Sequence, residues 1–496
     1  EIPGSRNISW QELEDATARI SNWLISLRLE PGARVAAQVP KSPESLFLYL
    51  ATLRAGMVYL PLNTAYQEAE IDYFLENASP SVVVADPLHH SWMATLAKKR
   101  GVAHLLTLDG NGQGSLIDTV SQQSSEFETV DVSRDTLASI IYTSGTTGRS
   151  KGAMLTHGNL SSNASVLHKF WGWRSDDVLV HILPLFHVHG LFVAVNGALL
   201  AGAKMIWVEK FSPPEVVSYL ERATVLMGVP THYVRLLGEA TLTRESCRNM
   251  RLFISGSAPL LTETFQQFHN RTGHTILERY GMSETAMLVS NPYDSALGPR
   301  IAGTVGMPLP DVSVRIVKED GAECEPGETG SIQVKGPNVF SGYWQMPEKT
   351  REEFTEDGWF RTGDLGRWGG TTRSGEVIPG NYVSIVGRSK DLIISGGYNV
   401  YPKEIEGFLD DLPGVEESAV VGVPHPDFGE AVIAAVVPKR GSSPDPEEWI
   451  SLMKERIANY KVPKKIHLME ELPRNAMGKV QKNLLRDQFS TPNNPG

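Results

Sequence analysis

Between residues 141 and 155 the chain reads IYTSGTTGRSKGAML, so that hydroxyls, glycines and a lysine follow an apolar strand expected to end at Tyr142. Thr143, Ser144, Thr146 and Thr147 alternate with Gly145 and Gly148, and Lys151 closes the run. Glycine permits the tight and left-handed turns that aim successive N–H groups at an anion, while hydroxyls and an ammonium add donors and charge. The chemistry this suits is the grip of a phosphate chain. The spacing is not that of a Walker A loop, which places Gly-Lys-Ser/Thr after four intervening residues. On composition alone such a run is also an ordinary surface turn. The strings that follow it decide between the two.

Those strings are PLFH at 184–187, ISGSAP at 254–259, RYGMSE at 279–284, TGD at 362–364, GRSKD at 387–391 and PRNAMGK at 473–479. Together with the loop, in that order and approximate spacing, they resemble the adenylate-forming superfamily, which contains the acyl-CoA synthetases, firefly luciferase and the adenylation domains of peptide synthetases. The resemblance covers nearly the whole chain. Ser150 stands where the family usually has proline.

The resemblance implies a two-step ligase: a carboxylate attacks the α-phosphorus of ATP, pyrophosphate leaves, and the thiol of coenzyme A captures the acyl-AMP. Such a protein needs no nucleophile of its own. It must position two anions and stabilise the charge that builds on the α-phosphate. On that reading Tyr280 offers a flat face to adenine, with Gly256, Ser257, Ala258 and Gly281 as close backbone beside it. Asp364 accepts the ribose hydroxyls and Arg388 is a second ribose contact. Thr143 and Ser283 donate to phosphate, and Glu284 is the expected ligand of Mg²⁺, a hard cation that usually takes one or two carboxylates with phosphate oxygens and water. Lys479, a compact point charge on a turn whose glycine is expected to let it swing, meets the carboxylate and the α-phosphate. The resemblance places a hinge at Lys390, about which a small domain rotates to present Ser395, Gly396 and Gly397 to coenzyme A.

The acid is read from Arg279, where most relatives have a small residue. A buried guanidinium calls for an anion, and a second carboxylate on the substrate would answer it with a bidentate pair; pairing with Glu278 or another internal acid is the alternative. RYGMSE, VFSGYWQMP at 339–347 and YNVYPKEIE at 398–406 look like the malonyl-CoA synthetases in particular, so malonate or methylmalonate is the expected acid. His187 and Met282 would border the acyl group, with Arg235 a secondary candidate. His187 and His189 could also suggest zinc, but no third ligand is evident. A synthetase for a short or medium monocarboxylic acid, or a non-catalytic nucleotide-binding relative, stays open.

These residues need a scaffold. Helical patterns at 10–27 and 43–55 alternate with apolar runs at 35–38, 81–85, 177–182, 204–208, 225–227 and 251–255, which implies a largely parallel α/β sheet with right-handed crossovers. From about Gly303 shorter strands with Gly and Pro turns suggest a distorted β-barrel or antiparallel sheet, and 368–381 reads as an inserted Gly-rich loop. After Arg388 a small mobile α+β domain is expected. The domains are thus 1–388, binding ATP and the acyl group, and 389–488, with a disordered tail at 489–496.

With 496 residues the chain should hold more than one core. A net charge of −11 argues against a nucleic-acid footprint, and no run approaches the length of a membrane span. Two cysteines are too few for a disulfide framework. A cytoplasmic monomer or weak homo-oligomer working on small molecules is expected; because the chain starts at Glu1, removal of an organellar targeting segment is an alternative.

Overall fold

The computed structural model describes residues 1–143, 150–372, 375–395, 398–425, 429–475 and 478–490. Strand Val82–Ala85 (VVVA) is buried at every position, as suits a parallel strand covered on both faces. It lies in a six-stranded sheet ordered His104–Thr107, Val82–Ala85, Arg34–Gln38, Val58–Pro61, Leu137–Thr143, Lys151–Thr156. All neighbours are parallel except the last two strands, which form an antiparallel hairpin. The first helix, Trp10–Ser26, begins at a capping box in which Ser9 and Glu12 satisfy each other's backbone N–H, and it buries Ile20, Trp23 and Leu24 in the main apolar core. A cap of this kind stabilises a helix by about 1 kcal/mol.

A second sheet of seven strands runs Met307–Pro308, Ala286–Ser290, Leu277–Met282, Leu252–Ser255, Val225–Gly228, Val178–His181, Lys204–Trp207. Its strands are parallel from Leu277–Met282 to Lys204–Trp207 and antiparallel beyond. The expected antiparallel region is a four-stranded sheet of Ser313–Val317, Gly330–Lys335, Phe360–Thr371 and Val377–Arg388.

Here one expectation is corrected. Most of 368–381 is strand rather than an inserted loop: Thr371 pairs with Val377 and Gly370 with Ile378, with a bulge between Trp368 and Gly370. The glycines read as loop because Gly369 and Gly370 take positive φ, 54° and 103°, at that bulge.

The small C-terminal domain has its own sheet, Tyr398–Val400, Ile393–Ser395, Gly429–Pro438 and Val415–His425, with Lys465–Leu468 parallel to Gly429–Pro438. Two apolar clusters, one around Ile405, Val432 and Trp449 and one around Val421, Ala435 and Leu485, belong to it alone. The last helix, Lys482–Ser490, takes in the first two residues of the expected tail, since Phe489 stacks on His467 at 4.3 Å; residues 491–496 lie outside the described residues. Cys247 and Cys324 are buried free thiols. Among the described residues no helix is long and apolar enough to cross a membrane.

Candidate active site

Thr143, Gly256 and the 279–284 string sit at or just beyond the C-terminal ends of strands Leu137–Thr143, Leu252–Ser255 and Leu277–Met282. In open α/β sheets that is where ligands bind. The strand expected to end at Tyr142 continues to Thr143, and Lys151 faces Thr143 across the hairpin. Its ammonium lies 3.4 Å from Glu353 and 4.4 Å above the ring of Tyr343. Ser144, Gly145, Thr146, Thr147 and Gly148 lie outside the described residues.

Tyr280, Asp364 and Arg388 form one chain. The Tyr280 hydroxyl donates to Asp364 Oδ2 at 2.5 Å, and Arg388 Nε donates to Asp364 Oδ1 at 2.9 Å. Asp364 and Arg388 are cross-strand partners in register, so the sheet itself sets this pair. Gly281 follows a bulge, and a Cβ there would lie 1.9 Å from the Ala286 carbonyl oxygen, so only glycine fits. Ser283 is half-buried. Glu284 is buried and accepts from the Tyr343 hydroxyl at 3.0 Å. Burial raises its pKa, against the pull of Tyr343, Lys151 and Arg388.

Arg279 is 3% exposed. Its guanidinium lies across Gly256, where a Cβ would come within 2.4 Å of Cζ. Nε and Nη2 are buried and have no hydrogen-bond partner among the described residues. Burial pushes its pKa down to about 9. The internal alternative is not realised: Glu278 accepts from the Leu260 N–H at 3.1 Å, its other oxygen is unpartnered among the described residues, and burial lifts its pKa to about 7.

His187 and His189 stand beside this guanidinium. His187 Nδ1 accepts from the His189 N–H at 3.2 Å. Burial, then Lys479 and Arg279, pushes the His187 pKa down to about 3, so the ring is neutral and carries its proton on Nε2. Met282 is half-buried at the end of its strand, next to Ser283. Arg235 is exposed on helix Pro230–Leu237, where its charge, after burial, helps lower the His232 pKa.

Lys479 reaches this cleft from the small domain. Its side chain keeps exposed surface on the open cleft, yet surrounding protein lowers its pKa, with Arg388 and Arg279 acting the same way and Asp364 and Glu284 opposing. Asn475 and Lys479 bond to each other twice, through Asn475 N–H to the Lys479 carbonyl at 2.9 Å and Lys479 N–H to Asn475 Oδ1 at 3.0 Å. Gly478 takes φ +73°. That left-handed conformation is one that glycine adopts freely. Lys390 is exposed in the 3-10 turn Ser389–Asp391 between the domains. Ser395 is buried at the end of strand Ile393–Ser395; Gly396 and Gly397 lie outside the described residues.

Sequence reasoning passed over Tyr343 and Glu353, which hold Glu284 and Lys151. Neither lies near its partner in sequence, and a tyrosine in an aromatic run gives no sign of which carboxylate it meets. The cleft as a whole gathers three cations, Arg279, Arg388 and Lys479, with the buried carboxylates Glu284 and Asp364. That set can receive a polyanion and a second acid together.

The AMP-binding enzyme family matches residues 2–344, and the AMP-binding enzyme C-terminal domain matches residues 404–479. The chain is 37% identical over 487 residues to the malonate–CoA ligase of Arabidopsis thaliana, covering 92% of this chain and 78% of that one. It is 36% identical over 490 residues to a feruloyl-CoA synthase of Amycolatopsis, covering 98% and 95%. Among solved structures, ATP-bound MatB from Rhodopseudomonas palustris has a TM-score of 0.94 at 52% identity, covering 99% of this chain and 95% of that one.

Proposed function

The chain belongs to the AMP-binding enzyme family, and from that premise we propose that it ligates malonate to coenzyme A through an enzyme-bound malonyl-AMP, releasing pyrophosphate and AMP. The observation that carries the choice of acid is the Arg279 guanidinium, buried with two N–H groups unpartnered among the described residues. Malonate brings one carboxylate to react and a second to pair there.

In this reading Lys479 lies between the reacting carboxylate and the α-phosphate, and Thr143 and Ser283 supply hydroxyl donors to phosphate. Tyr280 lines the adenine. Asp364 still has lone pairs for the ribose hydroxyls after accepting from Tyr280 and Arg388. The Nε2–H of neutral His187 donates towards the acyl group. Mg²⁺ fits Glu284, a buried carboxylate whose ionised form gains from a cation beside it, and one carboxylate with phosphate oxygens and water is a usual Mg²⁺ environment. Bound there, it would neutralise phosphate charge. After adenylation the small domain turns about Lys390, withdrawing Lys479 and bringing the 395–397 loop to the adenylate for coenzyme A.

The feruloyl-CoA synthase relative favours a second reading, an aromatic monocarboxylic acid. An uncharged ring would leave Arg279 unpaired. The test is pyrophosphate release from ATP and Mg²⁺ with malonate, methylmalonate, butyrate or ferulate, before and after coenzyme A is added. Malonate should give a single burst without coenzyme A and turnover with it. Preference for butyrate or ferulate over malonate would overturn the reading.

A further inference from the structure

We propose that His189 is a positioning residue that fixes the Ser257 hydroxyl with its proton directed at the acid's distal carboxylate, beside Arg279; this rests on the malonate reading above. His189 opens the π-helical segment His189–Val195 and is 1% exposed. Its Nδ1 lies 3.3 Å from Ser257 Oγ, while Nε2 is buried without a partner among the described residues. Ser257 follows Gly256, the residue on which the Arg279 guanidinium lies. The three groups therefore share one wall of the pocket.

Two features say that this wall is built for a ligand. First, Ser257 has φ +70°, a left-handed conformation that glycine adopts freely and that costs another residue roughly 1–2 kcal/mol. Gly256 stands next to it, so the strain is confined to a position where a hydroxyl is present. Second, two buried donor nitrogens of the wall, Arg279 Nε and Arg279 Nη2, have no partner among the described residues. Unmatched donors of this kind are what an arriving anion would satisfy.

Burial and the adjoining Arg279 charge hold the His189 pKa well below its ordinary value, so the imidazole is neutral and has one donor and one acceptor. With the proton on Nε2, the Ser257 O–H points back at Nδ1 and its oxygen lone pairs face the anion. With the proton on Nδ1, Ser257 Oγ accepts from the ring and its own O–H is left to donate outward. Only the second tautomer adds a donor to those of Arg279, and the bound carboxylate selects it.

The test compares His189→Leu, His189→Asn, Ser257→Ala and the His189→Leu/Ser257→Ala double variant, measuring kcat and KM for malonate and butyrate at saturating ATP and KM for ATP. A hydrogen bond to a charged group is worth roughly a ten- to hundredfold change in affinity. His189→Leu should raise the malonate KM by about that factor, with kcat, butyrate and ATP constants within about threefold. His189→Asn keeps an amide donor near the Nδ1 position and should recover most of the loss. Ser257→Ala should reproduce the malonate-specific loss, and the double variant should be little worse than either single one. Equal losses on malonate and butyrate, or additive losses in the double variant, would overturn the assignment. If His189→Leu fails to fold, a Ser257→Ala variant with an unchanged malonate KM overturns it equally. Wild type with no preference for malonate over butyrate would instead sink the substrate reading on which it stands.

Discussion

Replacing Arg279 by alanine tests the substrate assignment through the feature that suggested it. The wild-type guanidinium is 3% exposed and has two N–H groups with no partner among the described residues. Removing it leaves a malonate carboxylate buried with nothing of opposite charge beside it. Breaking a buried pair in this way costs on the order of 3–5 kcal/mol, which at about 1.4 kcal/mol per decade is a loss of roughly two to four powers of ten in kcat/KM for malonate. Butyrate has no distal charge to lose, so its kcat/KM should change little or rise, and the preference should collapse or invert. The guanidinium stays charged at working pH, and burial disfavours that charge, so while it is unpaired it costs the fold stability. Without ligand at pH 7, Arg279→Met should therefore melt above wild type, and malonate should raise the wild-type Tm more than the variant's. Equal losses on both acids, together with a lower Tm for Arg279→Met, would mean that Arg279 holds the structure and would refute the reasoning.

Three further outcomes are expected. Lys479→Ala should abolish most malonyl-AMP formation from malonate and ATP but leave thioester formation from supplied malonyl-AMP largely intact; parallel losses in both half-reactions would contradict the proposed rotation. Lys390→Pro should do the reverse, because Lys390 occupies the second position of the Ser389–Leu392 turn, where the Leu392 N–H reaches the Ser389 carbonyl and proline is tolerated, while a fixed φ opposes the second conformation; unaltered turnover would count against a hinge here. Glu284→Gln should shift the Mg²⁺ dependence of pyrophosphate release to roughly tenfold or higher concentration, and an unchanged Mg²⁺ titration would remove Glu284 from the metal.

What could be read in the sequence was what is local. The 141–155 string, RYGMSE and TGD each gather their chemistry within a few residues, and each lands at a strand end or on a paired strand. The contacts that complete the site are long-range. Tyr280 reaches Asp364 across 84 residues of chain, and His189 reaches Ser257 across 68. No spacing rule encodes such pairs, because the sheet order brings them together. Composition misled at 368–381, where glycines that serve a bulged hairpin looked like a loop. Arg279 was legible as an anomaly of type, but its lack of an internal partner could be seen only with the fold in hand.

The physical cost of the proposed rotation can be judged from what it would break. Among the described residues, no buried apolar residue of the small domain belongs to the clusters of the large one. Polar contacts join the two: Lys403 Nζ donates to the Ile385 carbonyl at 2.7 Å, Ser389 Oγ to the Gly363 carbonyl at 3.1 Å, and Lys439 pairs with Glu263 at 3.2 Å. An exposed ion pair such as the last is worth roughly 0–1 kcal/mol. Among the described residues, turning the domain would therefore split neither apolar cluster, and water can replace these hydrogen bonds. The balance between two such conformations would follow what occupies the cleft, since a ligand shifts an equilibrium by its difference in affinity for the two states. Lys479 adds to that difference directly. Its pKa is lowered by burial and by Arg388 and Arg279, so on the proposed mechanism the phosphates of ATP would favour the conformation that brings it in, and their departure as pyrophosphate would remove much of the reason for it to stay.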